Sequence, residues 1–181
     1  MLMLGIGNSA GYGVMIAYLQ MISAKNDRTL QFTQFVVFIQ AVPIIGRFIN
    51  ATYLIKKVHY LRIFQVMIGQ LVAYLFLIGA MVAGDSPIAM PFATTACIIF
   101  MFCKAIGEAT IVGFMKALPQ ELIATYGTGT GLSDCVATGV MLTMVNFGIG
   151  WSYYFLFASL CLVPVYFNCF IWFEQVRQDH A

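Results

Sequence analysis

Apolar and polar positions along this chain fall into long blocks. Six apolar runs of roughly 20 or more residues are separated by short polar segments. A helix of about 20 residues, rising 1.5 Å per residue, crosses roughly 30 Å of hydrocarbon. The pattern therefore predicts an all-α transmembrane domain, a six-helix bundle with spans at about 1–23, 31–55, 63–83, 88–118, 128–149 and 152–173.

The polar segments between the runs set the predicted ends of the helices. The first run stops at Lys25-Asn26-Asp27-Arg28, whose side chains would be costly to bury in lipid. The third closes at Gly84-Asp85-Ser86-Pro87, a cluster that is typical of turns. Between Pro119 and Gly127 the sequence predicts a loop, marked by the polar residues Gln120, Glu121 and Thr125. The fifth run, which follows this loop, is the least hydrophobic of the set.

Composition supports a membrane protein and argues against several other classes. Hydrophobic residues make up 61% of the chain and charged residues 9%, against roughly 45–50% and about 25% in soluble domains. The lipid bilayer is therefore the expected partner. The net charge is only +2 and the basic residues are scattered, so the sequence does not predict a nucleic-acid surface. Five cysteines without CxxC spacing and two histidines outside the runs predict no metal, no cofactor and no enzyme.

The distribution of Lys and Arg between the polar segments predicts the orientation of the chain. Six crossings place both termini on one side of the membrane, together with Lys56, Lys57, Arg62, Lys116 and Arg177. Only Lys25 and Arg28 lie on the other side. Since cytosolic loops carry the excess of positive charge, both termini are expected to be cytosolic.

Four charged residues lie inside the predicted spans: Arg47, Lys104, Glu108 and Asp134. Each costs at least about 2.5–3.5 kcal/mol at the centre of a helix in lipid and so needs a partner or water. Lys104 and Glu108 are four residues apart, which places them on one helix face. One interpretation is a self-neutralising structural pair. The other is a pair that faces a polar cavity, in which Glu108 binds or relays a proton or a cationic group.

Arg47 follows Pro43 and Gly46 in the second run, and helix geometry puts Pro43, Arg47 and Asn50 along one side. The proline can loosen the helix locally. An inward-facing arginine could hold a phosphate or carboxylate with its guanidinium group. The alternative is that the side chain extends toward the nearby cytosolic interface.

Glycines at helical spacing predict close contacts between helices. Asp134 follows the string Gly127-Thr128-Gly129-Thr130-Gly131, which could be a loop whose amides bind an anion. In lipid, a close helix contact through Gly127 and Gly131 is the better explanation. The same holds for Gly7 and Gly11 in the first run, where Asn8 and Tyr12 add polarity.

Three short stretches resemble one family of membrane proteins. Residues 5–15 read G-I-G-N-S-A-G-Y-G-V-M and are similar to the G-L-x-N-N-x-x-Y-V-V-M motif of battenins, the lysosomal and vacuolar membrane proteins named after Batten disease. Residues 106–110 are similar to the family's L-G-E-x-T segment, and residues 126–131 to its S-S-G-T-G-G segment. Pro43 and Arg47 fit the proline and basic residue of the family's second helix. The three motifs occur in the same order and register.

The resemblance implies a fold related to the major facilitator superfamily, with two six-helix halves around a central cavity. It implies transport across the lysosomal or vacuolar membrane that supports homeostasis of that compartment, including its pH, with glycerophosphodiesters and basic amino acids as associated solutes. By the same resemblance, Glu108, Arg47, Asn8 and Tyr12 would line the cavity. Lys104 and Asp134 join this candidate pathway as further charges inside the spans.

This sequence departs from the family pattern in ways that affect the expected function. Ser9 replaces the second Asn of the first motif, and the long loop after the first span is reduced to a few residues. The resemblance covers the whole chain but only the amino-terminal half of the family. We therefore expect a transporter half, which is part of a longer chain or pairs with a second copy, because alternating access needs two bundles. The competing hypothesis is a membrane scaffold that transports nothing, in which the polar residues only hold helices together.

Overall fold

The structure, a computed structural model, describes residues 1–25, 29–84, 86–115 and 120–179. All regular secondary structure within these ranges is helical. This follows from the long apolar runs, because a chain in hydrocarbon must satisfy every backbone N–H and C=O internally, and a helix does so within one segment.

The helices are α1 (Leu2–Ser9), α2 (Tyr12–Lys25), α3 (Thr29–Ile49), α4 (His59–Ala83), α5 (Ala89–Met115), α6 (Gln120–Asn146), α7 (Trp151–Phe157) and α8 (Val163–Asp179). Two π-helical segments continue these helices: Asn50–Leu54 extends α3, and Ala158–Leu162 joins α7 to α8 without a break. Together, α1 and α2 form the first predicted span, and α7, the π-helical segment and α8 form the last.

Five helical segments in the described ranges are long and apolar enough to cross a bilayer: Leu2–Lys25, Phe32–Leu54, His59–Ala83, Ala89–Met115 and Trp151–Gln175. The prediction of an all-α protein with membrane-spanning helices is confirmed at this level, and these helices make the chain an integral membrane protein. The fifth predicted span corresponds to α6, which is long enough but less apolar than the other five.

Two predictions about chain segments need correction or stay open. The predicted loop between Pro119 and Gly127 is wrong from Gln120 onward, because α6 begins at that residue. The polar side chains there are compatible with a helix; the Thr125 hydroxyl, for example, donates to the Glu121 carbonyl at 2.8 Å. The side chains of Arg28, Lys116 and Arg177 lie outside what the structure describes, so the orientation of the termini stays a prediction.

Helix α5 lies at the centre of the bundle, in contact with α1, α2, α3, α4 and α6. Small residues make this central position possible. Helices in lipid have no hydrophobic driving force between them and associate through close packing, which small side chains allow. Ala93, Ala96 and Gly107 of α5 are buried, and Phe100 packs edge-on against the Tyr74 ring of α4 at 5.8 Å.

The first span is interrupted at Ala10 and Gly11. Ala10 is extended, with ψ at 132°, and Gly11 has φ at +104°, a conformation that favours glycine. Neighbouring helices satisfy the backbone groups around this break. The Tyr74 hydroxyl donates to the Ala10 carbonyl at 3.1 Å, and the Gln70 amide donates to the Asn8 carbonyl at 3.3 Å. The break is therefore held by side chains of α4.

Candidate functional site

A cleft of about 380 Å³ lies between α3, α5 and α6. Its polar lining consists of Gln40, Arg47, Lys104, Glu108 and Thr130. This volume is within the roughly 300–1,000 Å³ of pockets that bind small molecules. Three of the four charged residues predicted inside the spans, Arg47, Lys104 and Glu108, meet in this one place.

Arg47 and Glu108 form an ion pair across the cleft. Arg47 Nη2 lies 2.9 Å from Glu108 Oε2, a charge-assisted hydrogen bond between α3 and α5. The close approach of the two helices depends on Gly46, because a Cβ at this position would lie 3.1 Å from both Ala105 Cβ and the Phe102 carbonyl oxygen. The side chain of Arg47 is 59% exposed and that of Glu108 32% exposed, so both charges remain accessible from the cleft.

Lys104 is held by an aromatic ring. Its ammonium nitrogen lies 5.4 Å from the centroid of the Tyr12 ring, within the range of a cation–π interaction. The Tyr12 hydroxyl in turn accepts a hydrogen bond of 2.8 Å from the Gln40 amide. The self-neutralising pair considered for Lys104 and Glu108 does not form, because Glu108 pairs with Arg47 on the neighbouring helix.

The charges of the cleft do not cancel. Arg47 and Lys104 are cations and Glu108 is the carboxylate of the lining. Within the part of the chain that the structure describes, Lys104 forms no ion pair. The cleft therefore carries a net positive charge while Glu108 is ionised, which suits an anionic group of a small solute.

Asn8 lies behind the cleft. Its side chain is fully buried and donates to the Lys104 carbonyl at 3.2 Å and to the Tyr126 hydroxyl at 3.5 Å. Its Oδ1 atom has no hydrogen-bond partner among the residues that the structure describes. Asn8 therefore joins α1 to α5 and α6 directly behind Lys104, and acts as a positioning residue.

Asp134 also lies outside the cleft lining. It sits on α6 and accepts a hydrogen bond of 3.3 Å from the Gly13 backbone N–H, in the first turn of α2. This carboxylate thus caps the helix that begins after the break in the first span. Since Gly13 follows Tyr12 directly, Asp134 fixes the start of the helix that carries the ring beneath Lys104.

The glycines predicted as packing positions differ in their surroundings. Gly7 lies against Tyr166, and Gly11 against the Tyr74 hydroxyl. Gly127 and Gly131 are helical and exposed, so the anion-binding loop is wrong. No atom of another described helix lies within 4 Å of a Cβ added at either glycine, so neither makes the predicted close contact with the described residues.

The close contact between α1 and α6 is made by Gly5 and Gly129, which pack against backbone atoms of the facing helix. In the string of alternating glycines, the residue that packs is thus Gly129, between the two glycines that the sequence predicted. The Gly5-x-Gly7 spacing in the first run carried no indication of this contact.

Gln40 and Thr130 also contribute to the site, although neither was a candidate from sequence. Gln40 precedes Pro43 and Arg47 by three and seven residues, which is the spacing of one helix face and would have identified it. Asn50, expected on the same side, instead accepts a hydrogen bond of 3.4 Å from Arg62.

Comparisons with models of protein families, with characterised proteins and with solved structures found no match to this chain. The chemistry of the site is therefore inferred from its own residues.

Proposed function

We propose that this chain is one half of a battenin-like transporter of the lysosomal or vacuolar membrane. It moves a small anionic or zwitterionic solute, such as a glycerophosphodiester or an amino acid, and supports homeostasis of that compartment. The observation that carries the proposal is the cleft in which Arg47, Lys104 and Glu108 meet inside a bundle of apolar helices.

The cost of placing charges in a membrane domain supports a functional role for the cleft. Ionisable side chains at membrane depth are expensive and ordinarily mark pathways for ions or solutes. A purely structural arrangement would pair its charges, whereas Lys104 contacts an aromatic ring and, among the described residues, has no carboxylate within ion-pair distance. This free cation favours a site that receives an anion from outside the chain.

Alternating access requires two bundles that move against each other around the site. We therefore propose that α6 supplies a sixth crossing in the bilayer, and that a second six-helix bundle completes the pathway. That bundle is the rest of a longer chain or a second copy of this one. With six crossings, both termini lie in the cytosol.

The proposal is tested in lysosomes or vacuoles isolated from the cells that express the protein, so that any partner is present. The measurement is the movement of labelled glycerophosphodiesters and amino acids across the membrane. Glu108→Gln is expected to abolish movement of the transported solute while the protein still folds and reaches the membrane. Glu121→Gln, which makes the same chemical change at an exposed position outside the cleft, is the matched control and should transport normally. Normal transport by Glu108→Gln would refute the assigned role.

A scaffold that transports nothing is the second candidate. It is favoured by the buried polar side chains that bind backbone groups of other helices, such as Gln70 and Tyr74 at the break in the first span. If this is the function, Glu108→Gln leaves solute movement unchanged, whereas Gln70→Leu lowers the amount of folded protein in the membrane.

A further inference from the structure

The two cations of the cleft are held in different ways. Arg47 is bound to a carboxylate, with 2.9 Å between Nη2 and Glu108 Oε2. Lys104 lies over the Tyr12 ring and forms no ion pair in the described ranges. An entering anion can therefore approach Lys104 directly, but it must compete with Glu108 for Arg47.

We infer that the cleft binds the anionic group of its solute together with a proton, which rests on the proposed function as a solute transporter. A proton that binds Glu108 Oε2 neutralises the carboxylate and releases Arg47. The freed guanidinium then binds the phosphate or carboxylate of the solute jointly with Lys104. In this scheme Lys104 is the permanent anchor, and Arg47 is exchanged between Glu108 and the solute.

The charges of the lining support this exchange. With Glu108 ionised, the three charged side chains sum to +1; with Glu108 protonated they sum to +2. A solute anion that reaches Arg47 beside an ionised Glu108 brings two negative charges to one guanidinium, which is unfavourable. Because linkage is reciprocal, a proton that favours binding of the anion is itself bound more tightly when the anion is present.

Other charged and titratable side chains surround Glu108. The charged and titratable groups that face it are Arg47 from α3, Lys104 from its own helix and Tyr126 from α6. Tyr12 of α2 lies beyond Lys104. Of these residue types, only glutamate ordinarily changes its charge below neutral pH. A change in anion affinity between neutral and acidic pH is therefore assigned to Glu108.

The test measures binding of two small probes to the purified full chain, with any partner that remains attached, at pH 7.5 and pH 5. Glycerophosphoglycerol serves as the phosphate probe and alanine as the carboxylate probe, because the anionic group of each keeps its charge between these pH values. The probe that binds identifies the group that the cleft accepts. We expect that probe to bind at least about fivefold more tightly at pH 5, the lower end of typical coupling between sites.

Three variants separate the roles of the charged side chains. Glu108→Gln resembles the protonated state, so it should bind the probe at pH 7.5 as tightly as the unchanged protein does at pH 5. Arg47→Gln should bind the probe more weakly than the unchanged protein at both pH values, with a smaller gain between pH 7.5 and pH 5, because no guanidinium is released in acid. Lys104→Gln should weaken binding at both pH values. Glu121→Gln, the matched control outside the cleft, should behave as the unchanged protein.

Two results would overturn the inference. The first is a probe that binds the unchanged protein equally well at both pH values. The second is a Glu108→Gln variant whose affinity still rises in acid. In both cases the proposed function stands, because a solute still binds. If neither probe binds at either pH, the proposed function itself fails. Should Glu108→Gln not fold, the unchanged protein and Arg47→Gln still decide the question.

Discussion

Helices α5 and α6 have the same length, 27 residues, and each carries one carboxylate inside a predicted span. They differ in position, because α5 is central in the bundle and α6 is peripheral. Fifteen residues of α5 are buried, against five of α6. The buried residues of α6 form one narrow stripe at helical spacing: Tyr126, Gly129, Ser133, Ala137 and Met141. Burial in α5 extends around several faces because four other spans contact it.

The surroundings of the two carboxylates follow from this difference. Glu108 on α5 lies where several helices converge, so it meets the side chain of Arg47 and faces a cleft. Asp134 on α6 meets a backbone N–H at the start of α2. The charge on the central helix thus meets an arginine at a cleft, whereas the charge on the peripheral helix holds a neighbouring backbone.

The largest expected difference between the two helices concerns large side chains. Phe100→Ala removes a ring that is 1% exposed on α5, and should lower the free energy of unfolding by about 3–5 kcal/mol because a cavity is left. Leu142 on α6 is 59% exposed, so Leu142→Ala should change the free energy of unfolding by no more than about 0.5 kcal/mol. Thermal unfolding in detergent measures both. Equal losses would contradict the central position of α5.

A second comparison lies within α6 itself. An added Cβ at Gly129 meets the backbone of Leu2, which cannot move aside, so Gly129→Ala should destabilise by about 1–3 kcal/mol. Gly131 has no neighbouring atom within 4 Å, so Gly131→Ala should stabilise the helix by about 0.5–1 kcal/mol. The same unfolding assay shows which of the two substitutions lowers the stability and which raises it. A loss of stability in Gly131→Ala would mean that a partner packs on this face.

A loss of stability smaller than that at Phe100, and at the lower end of that at Gly129, is expected at the cap formed by Asp134. Asp134→Ala removes the acceptor for the Gly13 N–H and should cost about 1 kcal/mol, because that donor then lacks a partner. Asp134→Asn should recover most of this loss, since asparagine is also a good cap. Hydrogen exchange at the start of α2 reports the change locally. If Asp134→Ala were as well protected there as the unchanged protein, the cap would be unimportant.

Much of the fold was predictable because lipid imposes a length on each apolar helix. The runs at 63–83 and 88–118 correspond to α4 and α5 within a few residues over the described ranges. The start of α6 was not predictable, because Gln120 and Glu121 are equally compatible with a loop and with the first turn of a helix. The break at Gly11 was hidden in the same way, since glycine in an apolar run indicates packing as readily as an interruption.

The three charged members of the site were predictable, but their pairing was not. Arg47, Lys104 and Glu108 could be singled out because charge inside an apolar run is costly. Sequence spacing, however, reports only neighbours on the same helix, which suggested Lys104 as the partner of Glu108. The observed pair depends on the distance between α3 and α5, which is set by Gly46 against Ala105.

The break at Ala10 and Gly11 divides the first span into two segments with different attachments. The amino-terminal segment, α1, packs chiefly on α6 and α8, whereas α2 packs chiefly on α5. An uninterrupted helix would transmit any tilt along its whole length. Here the two segments meet at residues that are not helical, and the Tyr74 hydroxyl binds the Ala10 carbonyl between them. Each segment therefore takes its direction from its own neighbours, and the break lies one residue from the ring that supports Lys104.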